Sequence, residues 1–302
     1  MNLSQLRYFK KLVEVRHYSR AARELFITQP TLSGAISSLE KELAVVLFER
    51  DRRSVVLTPK GEVFYEHVCL ALHALEDGVA AVQEGSTASL GSVDVGMIFT
   101  SQDDYFPTMI RDYRALSNDT VTIRTHQGFT GMLVDGLRKG TLDVAFCGDL
   151  EGEADIVFYP LAYRSLVLCV RDDSPLAQRE RVSFDDIRDL HLVTYRKGTS
   201  VGEKVRLLLE ENEIEDAEQA YDDDISMASH VSFGSGREAA LMLDSLGIRL
   251  FDNLKAVKVE EIPTRFYWIN LAYNTKHSRS RAVEGFIQFV KSYQGNDEYV
   301  QK

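Results

Sequence analysis

The sequence predicts an α/β protein with an N-terminal winged helix-turn-helix, a long linker helix and a larger α/β body. Three observations support this prediction. The first sixty residues contain short amphipathic helices and a charged hairpin, a long helical pattern follows, and strand and helix patterns then alternate to the end. A chain of 302 residues has room for two or three such domains.

Charge is unevenly divided along the chain. Residues 1–60 contain 11 Lys and Arg against 6 Asp and Glu, a net charge of +5, whereas the remaining 24 and 40 give −16. A basic module on an acidic body indicates an anionic partner for the module.

Composition argues against several other classes of protein. No apolar run reaches 18 residues, so no membrane span or membrane partner is expected. The N-terminus lacks the apolar centre of a secretion signal, which favours a cytoplasmic location. Cys69, Cys147 and Cys169 lie far apart without metal-ligand spacing, as expected in a reducing compartment. Buried, inert thiols are the favoured interpretation, and a redox switch is the alternative.

The first two predicted helices are short. Leu6, Phe9 and Val13 give the first helix an apolar face. The segment HYS breaks the pattern, and Ser19 is placed to cap the second helix, RAARELF.

The third predicted helix carries small residues on one face. Thr28 or Gln29 can cap it, Pro30 suits its first turn, and the apolar spacing runs to about Leu43. Its apolar stripe consists of Leu32, Ile36, Leu39 and Leu43. The opposite face holds Pro30, Gly34, Ser37, Ser38 and Lys41, with Ser33 on its flank. Serine and glycine are not good helix formers, so this face gives up helix stability for some other property.

A helix with such a face fits the major groove of DNA, which is about 12 Å wide. Gln29 can present a donor and an acceptor to an adenine edge, and hydroxyl groups can bond to bases or phosphates. The predicted DNA contacts in this helix are Gln29, Pro30, Thr31, Ser33 and Ser37. An ordinary solvated face is the alternative.

Two short apolar runs, VVLFER and SVVLT, are joined by DRR, which is typical of a β-hairpin. Three helices and such a hairpin describe a winged helix-turn-helix, assigned to residues 1–58. Arg50, Arg52 and Arg53 are placed in the wing for contact with the DNA backbone or minor groove. Arginines that are merely solvated are the alternative.

These sixty residues resemble the LysR-type transcriptional regulators. They carry, in order, a small-residue second helix, TQPTLS, the pattern LE..L, LFER and LTPKG. Family members usually have a larger polar or basic residue at the position of Gly34, so a base or phosphate contact is missing here. The resemblance implies a sequence-specific DNA-binding regulator that is modulated by a small-molecule effector.

A linker helix is predicted from Pro59 to about Glu84, within a segment assigned to residues 59–90. Its apolar seam has coiled-coil spacing and consists of Phe64, Val68, Ala71, Leu75, Gly78 and Val82. Packing of this seam against its own chain is one possibility. The resemblance implies pairing between subunits, as a homodimer or homotetramer, and a dimer predicts an inverted-repeat operator in double-stranded DNA.

The body, residues 91–302, alternates strands with helices, which predicts a parallel α/β sheet. The resemblance implies two lobes, as in periplasmic binding proteins. Lobe I is assigned to residues 91–161 and 267–295, and lobe II to residues 162–266. The crossovers are expected near Leu161–Leu166 and Pro263–Tyr267.

An effector is expected beyond the carboxyl ends of the strands, where hydroxyl groups cluster at helix starts. Helix N-termini and hydroxyls together suit a carboxylate or another small anion. The predicted effector contacts are Thr100, Ser101, Gly128, Phe129, Thr130, Gly198, Thr199 and Ser200. Plain helix capping is the alternative for each of them. No cofactor is predicted, and the acidic stretches lack the His or Cys ligands that would support a metal site.

The sequence therefore favours a ligand-responsive transcription regulator. An enzyme is disfavoured because no nucleophile-elbow, P-loop, zinc-protease or dinucleotide motif is present, and no catalytic residues are predicted. A transport receptor would have no use for the basic module.

Overall fold

The computed structural model describes residues 1–51, 54–82, 91–101 and 105–293. Its contacts divide the chain into two compact units. The first comprises Met1–Ala88 with Lys139–Thr141, and the second comprises Ser89–Arg138 with Leu142–Lys302. Among the described helices, none has both the length and the apolar character needed to cross a bilayer.

The first unit contains four helices and a hairpin in its described residues. They are α1 (Leu3–Val15), α2 (Tyr18–Glu24), α3 (Gln29–Leu43), β1 (Phe48–Asp51), β2 (Ser54–Leu57) and α4 (Pro59–Val82). The two strands pair antiparallel, with Phe48 opposite Leu57. The winged helix-turn-helix fold is therefore confirmed, with two residues between the strands.

One of the two predicted helix caps in this unit is confirmed and the other is wrong. Thr28 caps α3, as one of the two predicted options, by accepting a hydrogen bond from the Thr31 amide at 3.3 Å. The prediction that Ser19 caps α2 is wrong. His17 takes that position, since its Nδ1 accepts from the Arg20 amide at 3.3 Å, and Ser19 lies inside the helix.

An aromatic cluster joins the helices of the first unit to the hairpin. The ring of Phe9 on α1 lies 5.3 Å from that of Phe48 on β1 and 5.2 Å from that of Phe64 on α4. The apolar stripe of α3 packs into the same core, where Leu32, Leu39 and Ile36 are at most 1% exposed. Because the stripe faces inward, the small-residue face of α3 points away from the core.

The second unit consists of two sheets with flanking helices. The first sheet contains β3 (Gly91–Met97), β4 (Val121–Gln127), β5 (Val144–Cys147), β6 (Ile156–Arg164) and β13 (Tyr267–Asn274). The second contains β7 (Leu166–Arg171), β8 (Arg181–Val182), β9 (His191–Tyr195), β10 (Glu218–Tyr221), β11 (Glu238–Leu243) and β12 (Leu254–Val259). The helices are α5 (Tyr105–Leu116), α6 (Thr130–Arg138), α7 (Phe184–Ile187), α8 (Ser200–Glu211), α9 (Asp224–Phe233), α10 (Leu246–Arg249) and α11 (Arg281–Ser292).

The prediction of a parallel sheet is confirmed for β3, β4 and β5 and for β9, β10 and β11, but it does not hold for every strand. The strand orders are β4-β3-β5-β13-β6 and β10-β9-β11-β7-β12-β8. In the first sheet β13 runs antiparallel to both β5 and β6, and in the second β7 runs antiparallel to β11 and β12. The chain passes from one sheet to the other at residue 165 and again at residues 260–266. The strands β7 and β13 directly follow these two connections, and each runs opposite to its neighbours.

Candidate DNA-binding surface and interlobe cleft

The small-residue face of α3 is exposed to solvent in the isolated chain. Gln29, Pro30, Thr31 and Ser37 are exposed, and Ser33 is half-buried. A Cβ atom built on Gly34 would have no neighbour within 4 Å, so nothing in the described chain covers the middle of this face. The face is therefore open along the first two turns of the helix.

One of these side chains already has a partner. The hydroxyl of Thr31 lies 2.8 Å from the hydroxyl of the Thr28 cap. The helix is further held at its other end, where Glu40 Oε1 accepts from the amides of Leu47 and Phe48 at 2.7 and 3.2 Å. The bonds of Glu40 connect the C-terminal part of α3 to the start of the wing.

One of the three wing arginines, Arg50, lies within the described residues. Arg50 lies in β1 opposite Val55. Arg52 and Arg53 lie outside the described residues. Their contacts with DNA stay predictions.

The sequence interpretation missed Phe26, which lies in the turn between α2 and α3. It is 96% exposed and has a left-handed backbone with φ of 56°. It lies two residues before the Thr28 cap of α3. The predicted second helix, RAARELF, had included Phe26, whereas α2 ends at Glu24.

The seam of α4 is divided between two environments. Its first part packs on its own unit, where Val68 is 2% exposed and Phe64 contacts Phe9. Its later part is open, since Leu75 is 43% exposed and Ala71 and Gly78 are also exposed. Packing against its own chain therefore holds for the start of the helix, and pairing of the open part with a second subunit stays a prediction. The side chain of Val82 is not described.

In the second unit, a chain of hydroxyl groups connects the two lobes. Thr130 of lobe I accepts from the Gly148 amide at 3.2 Å and lies 3.5 Å from the hydroxyl of Tyr267. Tyr267 donates to Ser200 Oγ of lobe II at 3.2 Å, and Ser200 donates to the carbonyl of Asp149 at 3.1 Å. The structure thus brings together two of the predicted effector residues, Thr130 and Ser200, through Tyr267, which the sequence did not single out.

Tyr267 is fully enclosed in this arrangement. It is 2% exposed, and burial raises its pKa to about 12, against the opposing effect of the Ser200 and Thr130 hydroxyls. Gly148 leaves space for Tyr267. A Cβ at this position would overlap the Tyr267 hydroxyl and would lie 2.6 Å from Ser200 Oγ. Lys204 on α8 also lies here, with its Nζ 5.6 Å from the Tyr267 ring and 3.0 Å from Asp149 Oδ1.

A second buried polar group is a carboxyl. Asp224, at the start of α9 in lobe II, is 4% exposed and accepts a hydrogen bond from the hydroxyl of Tyr195. Burial raises the pKa of its carboxyl, and the hydroxyls of Tyr195, Ser245 and Thr100 oppose that rise.

The remaining predicted effector residues have local roles in the structure. Ser101 is buried and donates to the Ile98 carbonyl at 2.7 Å. Thr199 caps α8 by accepting from Gly202, and the Gly198 amide donates to Glu203 Oε1 at 2.7 Å. The Gly128 amide donates to the Met97 carbonyl at 3.1 Å.

Phe129 lies beside this group and remains partly open. It is 38% exposed and packs on Phe99, with ring centroids 5.9 Å apart. Phe99 is itself 41% exposed, so the two rings form an apolar surface near the ends of β3 and β4.

The three cysteines are buried. Burial raises the pKa of each thiol, to about 12 for Cys169. A thiolate is the reactive form of cysteine, so these environments favour the inert interpretation over a redox switch. Within the part of the chain that the structure describes, no group of three or more His, Cys, Asp and Glu side chains is arranged to hold a metal ion.

Comparison with known proteins gives matches along most of the chain. Residues 3–62 match the family model of the bacterial regulatory helix-turn-helix protein, lysR family, and residues 87–295 match that of the LysR substrate binding domain. The chain is 27% identical over 300 residues to the HTH-type transcriptional regulator YybE of Bacillus subtilis, which covers 97% of this chain and 99% of that protein.

Two solved structures extend the comparison. The effector binding domain of QuiR in complex with shikimate is 25% identical, with a TM-score of 0.61, over 66% of this chain and 95% of that one. Full-length CbnR complexed with target DNA is 22% identical, with a TM-score of 0.69, over 96% of this chain and 99% of that one. At this identity the likeness to CbnR shows a shared fold.

Proposed function

The chain belongs to the LysR family of bacterial transcriptional regulators, and from that premise we propose that it binds an inverted-repeat operator through α3. A small anionic effector between the lobes of its second unit modulates that binding. The protein is a DNA-binding regulator with an effector-binding domain, and not an enzyme, because its family consists of regulators. A protein that acts on chromosomal DNA works in the cytoplasm, and we propose that location.

The open face of α3 is the observation that carries the DNA-binding proposal. Gln29 and Ser37 are exposed on it, and the absence of a side chain at Gly34 allows the backbone to approach the bases closely. Ser33 and Pro30 add little bulk. The wing arginines supply phosphate contacts that position this helix without reading sequence.

Pairing through α4 gives the operator its symmetry. Leu75 and Val79 are 43% and 47% exposed, and an amphipathic helix usually buries such residues against a partner. A second copy of α4 covers them in a dimer, and two α3 helices then read half-sites about 34 Å apart along one face of the duplex.

The interlobe cleft supports an anionic effector. The hydroxyl groups of Thr130, Ser200 and Tyr267 meet there, α8 begins at the same place, and Lys204, which is paired with Asp149, lies beside them. The neighbour QuiR holds shikimate, which is a carboxylic acid. An effector that binds the closed lobes better than the open lobes shifts their equilibrium, and this shift is the signal passed to the DNA-binding unit.

A mobility-shift assay with the full chain tests the DNA-binding proposal. The probe is DNA from upstream of its own gene, titrated with salt and compared with scrambled DNA. Specific binding is expected to exceed scrambled binding by about a thousandfold or more, and the affinity should fall steeply with salt. Equal affinity for both DNAs would reject the proposal.

A further inference from the structure

Lobe I contains a groove that the proposed function does not use. It lies between α5 and α11, beside the start of β4, and its volume is about 510 Å³. Pockets of roughly 300–1,000 Å³ are the usual size for small-molecule sites. Thr130, Ser200 and Tyr267 of the interlobe cleft do not line it, so the α5–α11 groove is a separate site.

Aromatic rings form one wall of the α5–α11 groove. The rings of Tyr113 on α5 and Phe289 on α11 lie 5.1 Å apart. The Tyr113 hydroxyl donates to the Ala282 carbonyl at 3.4 Å, which connects the two helices. Val121, at the start of β4, is 4% exposed and adds an apolar side chain. Such a wall favours a flat ring, because aromatic rings pack on one another in offset and edge-to-face arrangements.

Gly285 on α11 keeps the groove open. A Cβ built there would meet the Tyr113 hydroxyl at 3.5 Å, which is an ordinary contact distance. Alanine would therefore fit at this position, whereas the longer side chain of leucine would extend into the groove. Leu116, at the end of α5, is 68% exposed, so the groove presents apolar surface to solvent. Covering this leucine would favour the binding of a small molecule that enters from solvent.

One charged residue is present among the eight described residues that line the groove. It is Arg281, in the first turn of α11. A guanidinium stays charged at all working pH values, and its planar donors match a carboxylate in a bidentate arrangement. A cation would be repelled here, and a neutral apolar molecule would gain nothing from the arginine. We propose that the groove binds a small aromatic carboxylic acid, whose ring packs on Tyr113 and Phe289 and whose carboxylate binds Arg281.

Acids paired with their amides test this inference on the full-length chain. Calorimetry is run with benzoate, 3-phenylpropionate and 2-naphthoate, with the uncharged amide of each, and with octanoate as an acid without a ring. At least one aromatic acid is expected to bind, and its affinity should exceed that of its amide and of octanoate by about tenfold. Arg281→Gln is expected to remove the preference for the acid over the amide.

Two substitutions at Gly285 locate the bound acid. Gly285→Leu fills the groove and is expected to weaken binding by about tenfold or more. Gly285→Ala is the matched control, because its methyl group fits beside Tyr113, and it should bind the acid as the wild type does. Both variants replace a helical glycine with a better helix former, so neither is expected to lower the melting temperature.

The other outcomes are distinct from one another. Equal binding of the amides or of octanoate would overturn the assignment to an aromatic acid. An acid that Gly285→Leu binds as tightly as the wild type would overturn the groove as its site while leaving the interlobe effector intact. Failure of all three aromatic acids to bind would overturn the proposal. If Gly285→Leu does not fold, the comparison of acid with amide in the wild type and in Arg281→Gln decides the matter.

Discussion

Single residues decide how α3 begins and which groups it presents. The Thr28 cap could be foreseen because a threonine followed by a proline two positions later is a local pattern. His17 could not be foreseen as the cap of α2, because Ser19 is the stronger capper by residue type and the position was decided by the turn after α1. Tyr267 was missed for a different reason: its partners Thr130 and Ser200 lie 137 and 67 residues away in the sequence.

Gln29→Ala tests base reading at this scale. An exposed glutamine at the start of α3 can make a bidentate contact with adenine, so its loss should reduce operator affinity by about 1–3 kcal/mol. Affinity for scrambled DNA should be unchanged in the same mobility-shift assay. Gln178→Ala, at an exposed glutamine of the second unit, is the control and should leave both affinities unchanged. An equal loss on both DNAs would remove Gln29 from a reading role.

Among the elements, the spacing of apolar residues predicted those that place one face on a core. These include the helices α3 and α4, and two short apolar runs predicted the hairpin. The strand β6 was not predicted, since its role depends on pairing with β13, about 110 residues later. The same limit explains why the antiparallel strands β7 and β13 were not predicted, because their partners are distant in the sequence.

Gly34→Leu separates the stability of α3 from its function. Leucine is the better helix former and the site has open space, so the free energy of unfolding should rise by roughly 0.5–1 kcal/mol. Operator affinity should nevertheless fall, because the side chain would stand between the helix and the groove. Gly131→Leu, at another open helical glycine, is the control and should leave DNA binding unchanged. Unchanged operator affinity in Gly34→Leu would show that this face does not approach DNA.

Leu75→Asp tests the pairing role of α4. A charge in an apolar seam between subunits should shift the protein from dimer to monomer in sedimentation velocity at micromolar concentration. Val63→Asp is the matched control, since Val63 is 59% exposed on the same helix and lies outside the predicted seam. A dimer that survives Leu75→Asp would contradict pairing through this seam.

The whole molecule joins a basic DNA-binding unit to an acidic effector-binding unit, and the chain's one tryptophan lies in the effector-binding unit. Trp268 follows Tyr267 at the second connection between the lobes and packs on Tyr163, with centroids 5.7 Å apart. Effector binding near Tyr267 should therefore change tryptophan fluorescence in a saturable way. Titration of small carboxylates measures this, and Trp268→Phe should abolish the signal. A ligand that binds by calorimetry without a fluorescence change would argue against binding near Tyr267.

The proposed function requires α3 to enter the major groove with its small-residue face. Methylation interference tests this, because guanine N7 lies in the major groove and adenine N3 in the minor groove. On an operator mapped by footprinting, methylation of guanine N7 in both halves of an inverted repeat should prevent binding. Interference confined to adenine N3, or none in either half-site, would exclude entry of α3 into the major groove.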